Sequence, residues 1–244
     1  MGKQRLDILL AERGLFDSRE KARRSILAGM VTVDGCPAGK PGRPVAGEAK
    51  LKVLQPPRYV GRGGEKLKGA LEDFALPVRG LAVLDLGSST GGFTDCLLQE
   101  GARKVYCLDV GKGQLEWKLR QDPRVTVKEG FNARYLTPPD LPEPPELITI
   151  DLSFISIRKV LPAALGVLNS PGLILALIKP QFEAGRSEVK RGGVVRDGEV
   201  HQRVIAGIED FARSLGLKVR GVRESRLIGP AGNREFFILL SYPA

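Results

Sequence analysis

The stretch Asp85-Leu86-Gly87-Ser88-Ser89-Thr90-Gly91-Gly92-Phe93 decides the fold of this chain. It closes an apolar run, Leu81 to Leu86, whose only charged member is Asp85, as expected for a short strand buried on both faces. Beyond it lie a helical segment carrying Leu97 and Leu98 and a second strand pattern, Lys104 to Val110. Strand, glycine-rich turn, helix and strand make a βαβ unit of about 30 residues. The glycines allow a tight turn and a close approach of backbone to ligand. Asp109 stands at the end of the second strand, where a carboxylate accepts hydrogen bonds from both hydroxyls of a ribose, a service equally useful to NAD and to S-adenosylmethionine. The spacing separates the two. Gly87-x-x-x-Gly91-Gly92 is not the Gly-x-Gly-x-x-Gly of dinucleotide-binding proteins, and no Gly-Lys-Ser/Thr ending marks a nucleoside triphosphate loop.

The loop resembles that of class I methyltransferases, which implies S-adenosylmethionine held by Asp85, Gly87, Ser88, Ser89, Thr90, Gly91, Gly92, Phe93 and Asp109. A third strand, Val125 to Val127, precedes Gly130-Phe131-Asn132-Ala133-Arg134, where methyltransferases of this type surround the adenine. Asn132 is therefore a candidate cofactor residue, with the capping of a turn as the other reading. Leu147 to Asp151 and Gly172 to Ile178 read as fourth and fifth strands, ending in Asp151 and in Lys179-Pro180. In an open α/β sheet the ligand crevice lies beyond the carboxyl ends of the strands, so Asp151 and Lys179 are expected at the methyl group, with Asp151 also a cofactor contact. Val204, Ile205, Ile208, Phe211 and Leu215 fall at helical spacing, and strands at Leu217 to Leu227 and Arg234 to Leu240 complete seven. The expected fold is α/β: a Rossmann-like, mostly parallel sheet with an antiparallel last strand, over residues 61–244.

The first 55 residues differ in kind. Leu6, Leu9 and Leu10, then Ala22, Ile26 and Leu27, mark two short helices broken at Gly14 and restarted after Ser18, a natural N-cap. The second helix carries Arg19, Lys21, Arg23 and Arg24 away from its Ala22 and Ile26 side. Val31 and Val33, an Asp34-Gly35 turn, and a later strand ending at Leu51 and Val53 follow. This order resembles the S4 RNA-binding domain, whose Gly-x-Val-x-Val-Asp-Gly turn and later Lys-Pro correspond to Gly29 to Gly35 and Lys40-Pro41. RNA contact is expected from Arg5, Arg19, Arg23 and Arg24, although a solvated basic face is the plain alternative. Gln55-Pro56-Pro57-Arg58 breaks both periodicities, so residues 56–60 read as a linker.

Composition agrees with a polyanionic partner. Thirty-eight Lys and Arg against 28 Asp and Glu give a formal charge of +10, which favours nucleic acid through counterion release. The longest aliphatic run, Leu173 to Ile178, is far short of the roughly 20 residues of a membrane-spanning helix. Charged and apolar residues mix from Lys3 onward without the pattern of a leader, which leads to an expected cytoplasmic location. Cys36, Cys96 and Cys107 are widely spaced and His201 is the single histidine, so neither a disulfide framework nor a zinc cluster is expected, and no metal is. Lone in an amphipathic helix, His201 reads as a cap or surface residue.

Gly63-Gly64-Glu65-Lys66-Leu67 opens the second domain and Asn233-Arg234-Glu235-Phe236-Phe237 begins its last strand. Lys66, Asp151, Lys179 and Glu235 match in order and context the Lys-Asp-Lys-Glu set of FtsJ-like RNA 2′-O-methyltransferases. Arg62-Gly63-Gly64-x-Lys66-Leu67, the Asp85 to Phe93 loop, Asp151-Leu152-Ser153-Phe154-Ile155-Ser156 and Lys179-Pro180-Gln181-Phe182 resemble, more closely, the TlyA (hemolysin A) family over nearly the whole chain. The resemblance implies 2′-O-methylation of cytidine in ribosomal RNA, with the S4-like domain holding a ribosomal substrate. A ribose hydroxyl is a weak nucleophile that must lose its proton as it attacks, so Lys179 is assigned as base or hydroxyl positioner, Asp151 and Glu235 as orienters and Lys66 as a second positioning cation near the RNA. Arg62, Arg186, Lys190 and Arg191 are further RNA candidates. The basic stretch from Lys179 to Val200, with Gly192-Gly193 as hinge residues, has two readings: a flap over RNA or a passive loop. Two other functions are set against this one, a hemolysin-like membrane protein and a methyltransferase for another RNA or a small molecule.

Overall fold

The computed structural model describes residues 2–54, 58–185 and 187–243. The chain divides into two compact units, Met1–Pro57 and Arg58–Ala244. In the first, the strand β1 (Lys3–Arg5) leads into the helices α1 (Leu6–Glu12) and α2 (Arg19–Leu27), followed by the short strands β2 (Val31–Val33), β3 (Cys36–Pro37), β4 (Pro44–Ala46) and β5 (Leu51–Val53). Strand β1 pairs with β4, and β2 lies between β3 and β5, all antiparallel. Ser18 caps α2 by accepting from the Lys21 amide, as its position predicts. Leu6, Leu10, Ala22, Ile26 and Val31 close one apolar core beneath these elements. The turn glycines Gly29 and Gly35 have φ of +72° and +83°, the left-handed backbone that the S4 pattern requires of them.

The second unit begins with the helix α3 (Arg62–Asp73) and continues through β6 (Ala82–Leu86), α4 (Gly92–Gln99), β7 (Lys104–Asp109), α5 (Trp117–Arg120), β8 (Val125–Glu129) and β9 (Leu147–Ile150). The remainder is α6 (Leu161–Val167), β10 (Gly172–Ile178), α7 (Pro180–Glu183), α8 (Gly198–Ser214), β11 (Lys218–Glu224) and β12 (Phe236–Tyr242). Seven strands form one sheet in the order β11-β12-β10-β9-β6-β7-β8. Pairing from β10 through β9, β6 and β7 to β8 is parallel; β12 runs against both its neighbours.

Strand alternation sorts the sheet residues into two cores. Leu84, Leu86, Ile148, Ile174 and Ile178 face α6 and α8, while Val83, Leu147, Leu175, Leu177 and Phe237 face α3 and α4. Helices on both faces of a mostly parallel sheet make the Rossmann-like architecture.

Two expectations need correction. Tyr59, 2% exposed, packs in the core with Val60 against it, so the second unit takes in residues assigned to the linker. His201 is 2% exposed on the inner face of α8 and bonds through Nε2 to the Val195 carbonyl at 3.0 Å; it is neither cap nor surface. The stretch from Lys179 to Val200 contains α7 and a bridge between Lys190 and Val194, and Gly192 and Gly193, at φ +96° and +74°, form its tight turn.

Candidate active site

The site is built at the carboxyl ends of β6, β7, β9 and β10. At Gly87 the chain turns with φ +87°, and a β-carbon there would meet the Asp151 carbonyl oxygen at 2.3 Å. Only glycine lets the ends of β6 and β9 approach this closely. At Gly91, φ +100°, a β-carbon would strike Leu119 at 2.3 Å, so the turn also needs glycine where it enters α4. Asp109, the last residue of β7, is held by two backbone amides: Oδ2 accepts from Ser89 at 2.8 Å and Oδ1 from Gly111 at 2.7 Å. Each oxygen keeps a lone pair for a further donor.

Around this carboxylate lies a cavity of about 380 Å³ whose lining includes Gly87, Ser89, Asp109, Asn132, Asp151 and Phe154. A smaller one, about 150 Å³, shares Gly87, Ser89 and Asp151 and extends to Gly61, Arg62, Gly63, Ser88, Thr90, Gly92 and Phe93. Glycines 63 and 64 bring α3 against the loop, since a β-carbon on Gly92 would lie 3.0 Å from the Gly64 nitrogen. Asn132 caps a 3₁₀ turn by accepting from the Arg134 amide, and it also lines the larger cavity.

Asp85 is placed differently from its neighbours. It is fully buried one residue before the end of β6 and accepts from Thr94 Oγ1 at 2.7 Å and Thr149 Oγ1 at 3.0 Å. Burial pushes its carboxyl up to about 6 against the lowering effect of these hydroxyls. It braces the loop from below and lines neither cavity, which corrects its assignment as a cofactor contact.

The four charged candidates form two ion pairs. Lys179 Nζ lies 2.5 Å from Asp151 Oδ1 and donates to Ser153 Oγ at 3.2 Å, with side chains 11% and 20% exposed for the lysine and aspartate. Lys66 Nζ lies 2.5 Å from Glu235 Oε2, with side chains 8% and 0% exposed. Glu235 Oε1 is buried without a hydrogen-bond partner. Lys66 is thus enclosed with its carboxylate rather than presented to solvent. Antiparallel pairing of Ile178 with Phe236 places Lys179 and Glu235 each one residue beyond the same rung.

Sequence reasoning missed several contributors. Phe154, with φ +63°, is 92% exposed at the cavity and contacts the Phe182 ring at 5.1 Å between centroids. Glu183 accepts from Ser156 Oγ at 2.6 Å and the Ile157 amide at 2.7 Å. Asn233 accepts from the Val195 amide at 3.0 Å and donates to the Gly193 carbonyl at 2.9 Å. Phe154 lay in the quoted Asp151 to Ser156 motif, to which no individual roles were attached, whereas Glu183 follows the Lys179 to Phe182 motif and carried no signal.

Of the basic candidates, Arg5 and Arg19 converge on Asp7, whose side chain is 1% exposed. Arg5 binds it through Nε and an Nη, Arg19 through Nε, and the two guanidiniums remain about half exposed. Arg23 is exposed, and Arg24 is exposed beside Glu20 at 3.7 Å. Arg62 is exposed and donates to the Ile228 carbonyl at 2.9 Å; Lys190 and Arg191 are exposed in the second unit. Arg186 lies outside the described residues. Among the described residues, no group of side chains could hold a metal ion and no helix is long and apolar enough to cross a membrane.

A sheet of this order, with a glycine cradle after β6 and a carboxylate held by two backbone amides at the end of β7, has the form of an S-adenosylmethionine-dependent methyltransferase, and S-adenosylmethionine is its cofactor. Comparison with known proteins narrows the class. The FtsJ-like methyltransferase family matches residues 59–242 and the S4 domain family residues 4–51. The 16S/23S rRNA (cytidine-2′-O)-methyltransferase TlyA of Mycobacterium tuberculosis is 46% identical over 98% of this chain and 90% of its own. Hemolysin A of Brachyspira hyodysenteriae is 41% identical over 95% of this chain and 97% of its own. A solved structure from Streptococcus thermophilus superposes with a TM-score of 0.77 at 43% identity, covering 100% of this chain and 90% of that one. The chain belongs to the TlyA family of FtsJ-like methyltransferases.

Proposed function

We propose that the protein methylates the ribose 2′-hydroxyl of a cytidine in ribosomal RNA, within a ribosomal subunit or its RNA, in the cytoplasm. The observation that carries this reading is the Lys179–Asp151 pair, whose aspartate lines both cavities. The name of the TlyA relative supports the choice of cytidine and of ribosomal RNA. In this reading Asp109 holds the ribose of S-adenosylmethionine, Asn132 lies by the adenine, and the loop from Gly87 to Phe93 with Gly61 to Gly63 encloses the methionine end.

When bound, the cofactor supplies an electrophilic sulfonium methyl. The residues of this chain do the rest. An ammonium beside a carboxylate matches both parts of a hydroxyl: Lys179 donates to the 2′ oxygen and positions it, and the hydroxyl proton passes to the Asp151 carboxylate as the oxygen attacks. Lys66 and Glu235, paired with each other, help to orient the site from the neighbouring strand end, where Glu235 stands one residue beyond the Ile178–Phe236 rung. Arg5, Arg19, Arg23 and Arg24 of the first unit, with Arg62, Arg186, Lys190 and Arg191 of the second, neutralise RNA phosphates.

Incubation with labelled S-adenosylmethionine and unmodified 30S subunits, 50S subunits and naked ribosomal RNA, followed by nucleoside mass spectrometry, tests the substrate. The expected product is 2′-O-methylcytidine; a methylated base or no transfer to any of the three rejects the reading. Lys179→Ala is expected to abolish transfer while calorimetry still shows cofactor binding, and full residual activity would remove Lys179 from the chemistry.

A further inference from the structure

The segment from Asp151 to Ile157 runs beside the segment from Lys179 to Glu183, and side chains join them at three levels. At one end Lys179 meets Asp151 at 2.5 Å and Ser153 at 3.2 Å. In the middle Phe182 meets Phe154, ring centroids 5.1 Å apart. At the far end the Glu183 carboxylate accepts from Ser156 Oγ at 2.6 Å and from the Ile157 amide at 2.7 Å. Between the two ends sits Phe154, a bulky residue at φ +63° with 92% of its surface exposed.

A non-glycine residue in left-handed backbone costs on the order of 1–3 kcal/mol and persists only where its surroundings impose it. Burial cannot impose it on Phe154, because the ring is exposed. The restraints in place are the Phe182 ring against Phe154 itself and, on either side, Ser153 held by Lys179 and Ser156 and Ile157 held by Glu183. Loss of the Glu183 anchor frees the loop to relax at Phe154, and the relaxation reaches Ser153 and Asp151, the partners that locate the Lys179 amine.

We propose that Glu183 is a positioning residue for methyl transfer, which clamps the 151–157 loop against the start of α7 and so holds Asp151 and Ser153 around the Lys179 amine. Glu183 touches neither cavity and acts only through this loop. Its partners are one hydroxyl and one backbone amide, both donors, so a carboxylate with two acceptor oxygens suits the place. The inference rests on the assignment of Lys179 to the chemistry.

The test compares Glu183→Ala and Glu183→Gln with the unsubstituted protein on the RNA substrate that the latter methylates. Calorimetric stoichiometry for S-adenosylmethionine counts the folded sites, so a loss of folded protein is not mistaken for a loss of rate. Displacements near 1 Å cost on the order of 10²-fold in well-oriented reactions, so the alanine variant is expected to lose about 10- to 100-fold in kcat per folded site. Its KM for RNA should stay within about twofold of the unsubstituted value, and its cofactor Kd should rise by less than kcat falls, because Asp109 and the 87–93 loop keep their places while only the 151–155 part of the cavity lining shifts. The glutamine variant keeps one acceptor for the Ile157 amide and is expected to recover most of the rate. Should the alanine variant fail to fold, Glu183→Asp withdraws the carboxylate by one methylene and is read in the same way. An unchanged kcat per folded site, or a loss confined to cofactor affinity, overturns the proposal. Failure of the unsubstituted protein to methylate RNA would instead reject the proposed function.

Discussion

Replacing Lys66 separates what the buried ion pair does for the fold from what it does for the chemistry. Lys66 Nζ and Glu235 Oε2 are 2.5 Å apart with side chains 8% and 0% exposed, and Glu235 Oε1 already lacks a partner. Lys66→Ala therefore leaves a carboxylate with neither oxygen satisfied inside the second unit. Breaking a buried pair by removing one partner costs about 3–5 kcal/mol, several times the worth of a surface pair. At about 2–4 °C per kcal/mol for a domain of this size, the melting midpoint is expected to drop by roughly 6–20 °C. Lys66→Met combined with Glu235→Gln removes both charges at similar volume and should restore most of that loss. Melting followed by circular dichroism measures the first effect, and single-turnover methyl transfer at saturating cofactor measures the second. A drop under about 1 kcal/mol in the single variant would mean that water reaches the pair and that the burial argument is wrong. Wild-type turnover in the restored double variant would show that the pair is structural and has no part in placing Lys179.

Two more outcomes follow from groups already located. Asp109→Ala removes the carboxylate that Ser89 and Gly111 hold in place, and hydrogen bonds to a charged group contribute about 1.5–3 kcal/mol, so the calorimetric Kd for S-adenosylmethionine is expected to rise about 10- to 100-fold; an unchanged Kd refutes the ribose assignment. Asp7 is the acid-sensitive point of the first unit, because the Arg5 bond, with Arg19 beside it, lowers its carboxyl to about 2 against the cost of burial. A depressed carboxyl stabilises the fold above its ordinary value near 4, and that contribution disappears as pH falls from about 4 to about 2. Both arginines are half exposed, which limits it to about 1–2 kcal/mol. The stability gap between wild type and Asp7→Asn in urea should therefore be present at neutral pH and shrink below about pH 4, and a gap independent of pH would refute the assignment.

The strands β6, β9, β10 and β12 were legible because they are buried on both faces and appear as apolar runs, and Asp34-Gly35 marked a turn made in left-handed backbone. The strands β1, β3 and β4 escaped notice because none of them carries two alternating apolar residues as Val31/Val33 and Leu51/Val53 do in β2 and β5. Helix α3 was hidden by Gly63 and Gly64, whose low helix propensity is offset by close packing on α4. Asp85 and Asp109 look alike as strand-end carboxylates, but Asp85 precedes the last residue of β6 whereas Asp109 is the last residue of β7, and that offset sends one into the core and the other to the cavity edge. Glu183 and His201 were unreadable for another reason. Their roles depend on partners at Ser156, Ile157 and Val195, and nothing in the local sequence indicates which carbonyl or hydroxyl a folded side chain will meet.

The reversed strand explains why the charged groups meet at all. In a wholly parallel sheet every strand ends at the ligand edge and begins at the opposite one, so a residue that opens a strand lies far from the chemistry. Strand β12 runs against β10, with Phe236 opposite Ile178, and its first residues therefore arrive where β10 ends. Glu235 is delivered beside Lys179 by topology, and Asn233 two residues earlier reaches back to hold the backbone of Gly193 and Val195. Helix α3 completes the arrangement from the other side, since the close approach of Gly63 and Gly64 to α4 places Lys66 one turn further along, within reach of Glu235. Two lysines far apart in sequence thus share one end of the sheet because one strand is antiparallel and one helix carries glycine at its crossing point. A bulkier residue at Gly64, where a β-carbon would lie 2.3 Å from the Tyr59 side chain, would separate Lys66 from Glu235 without changing either of them.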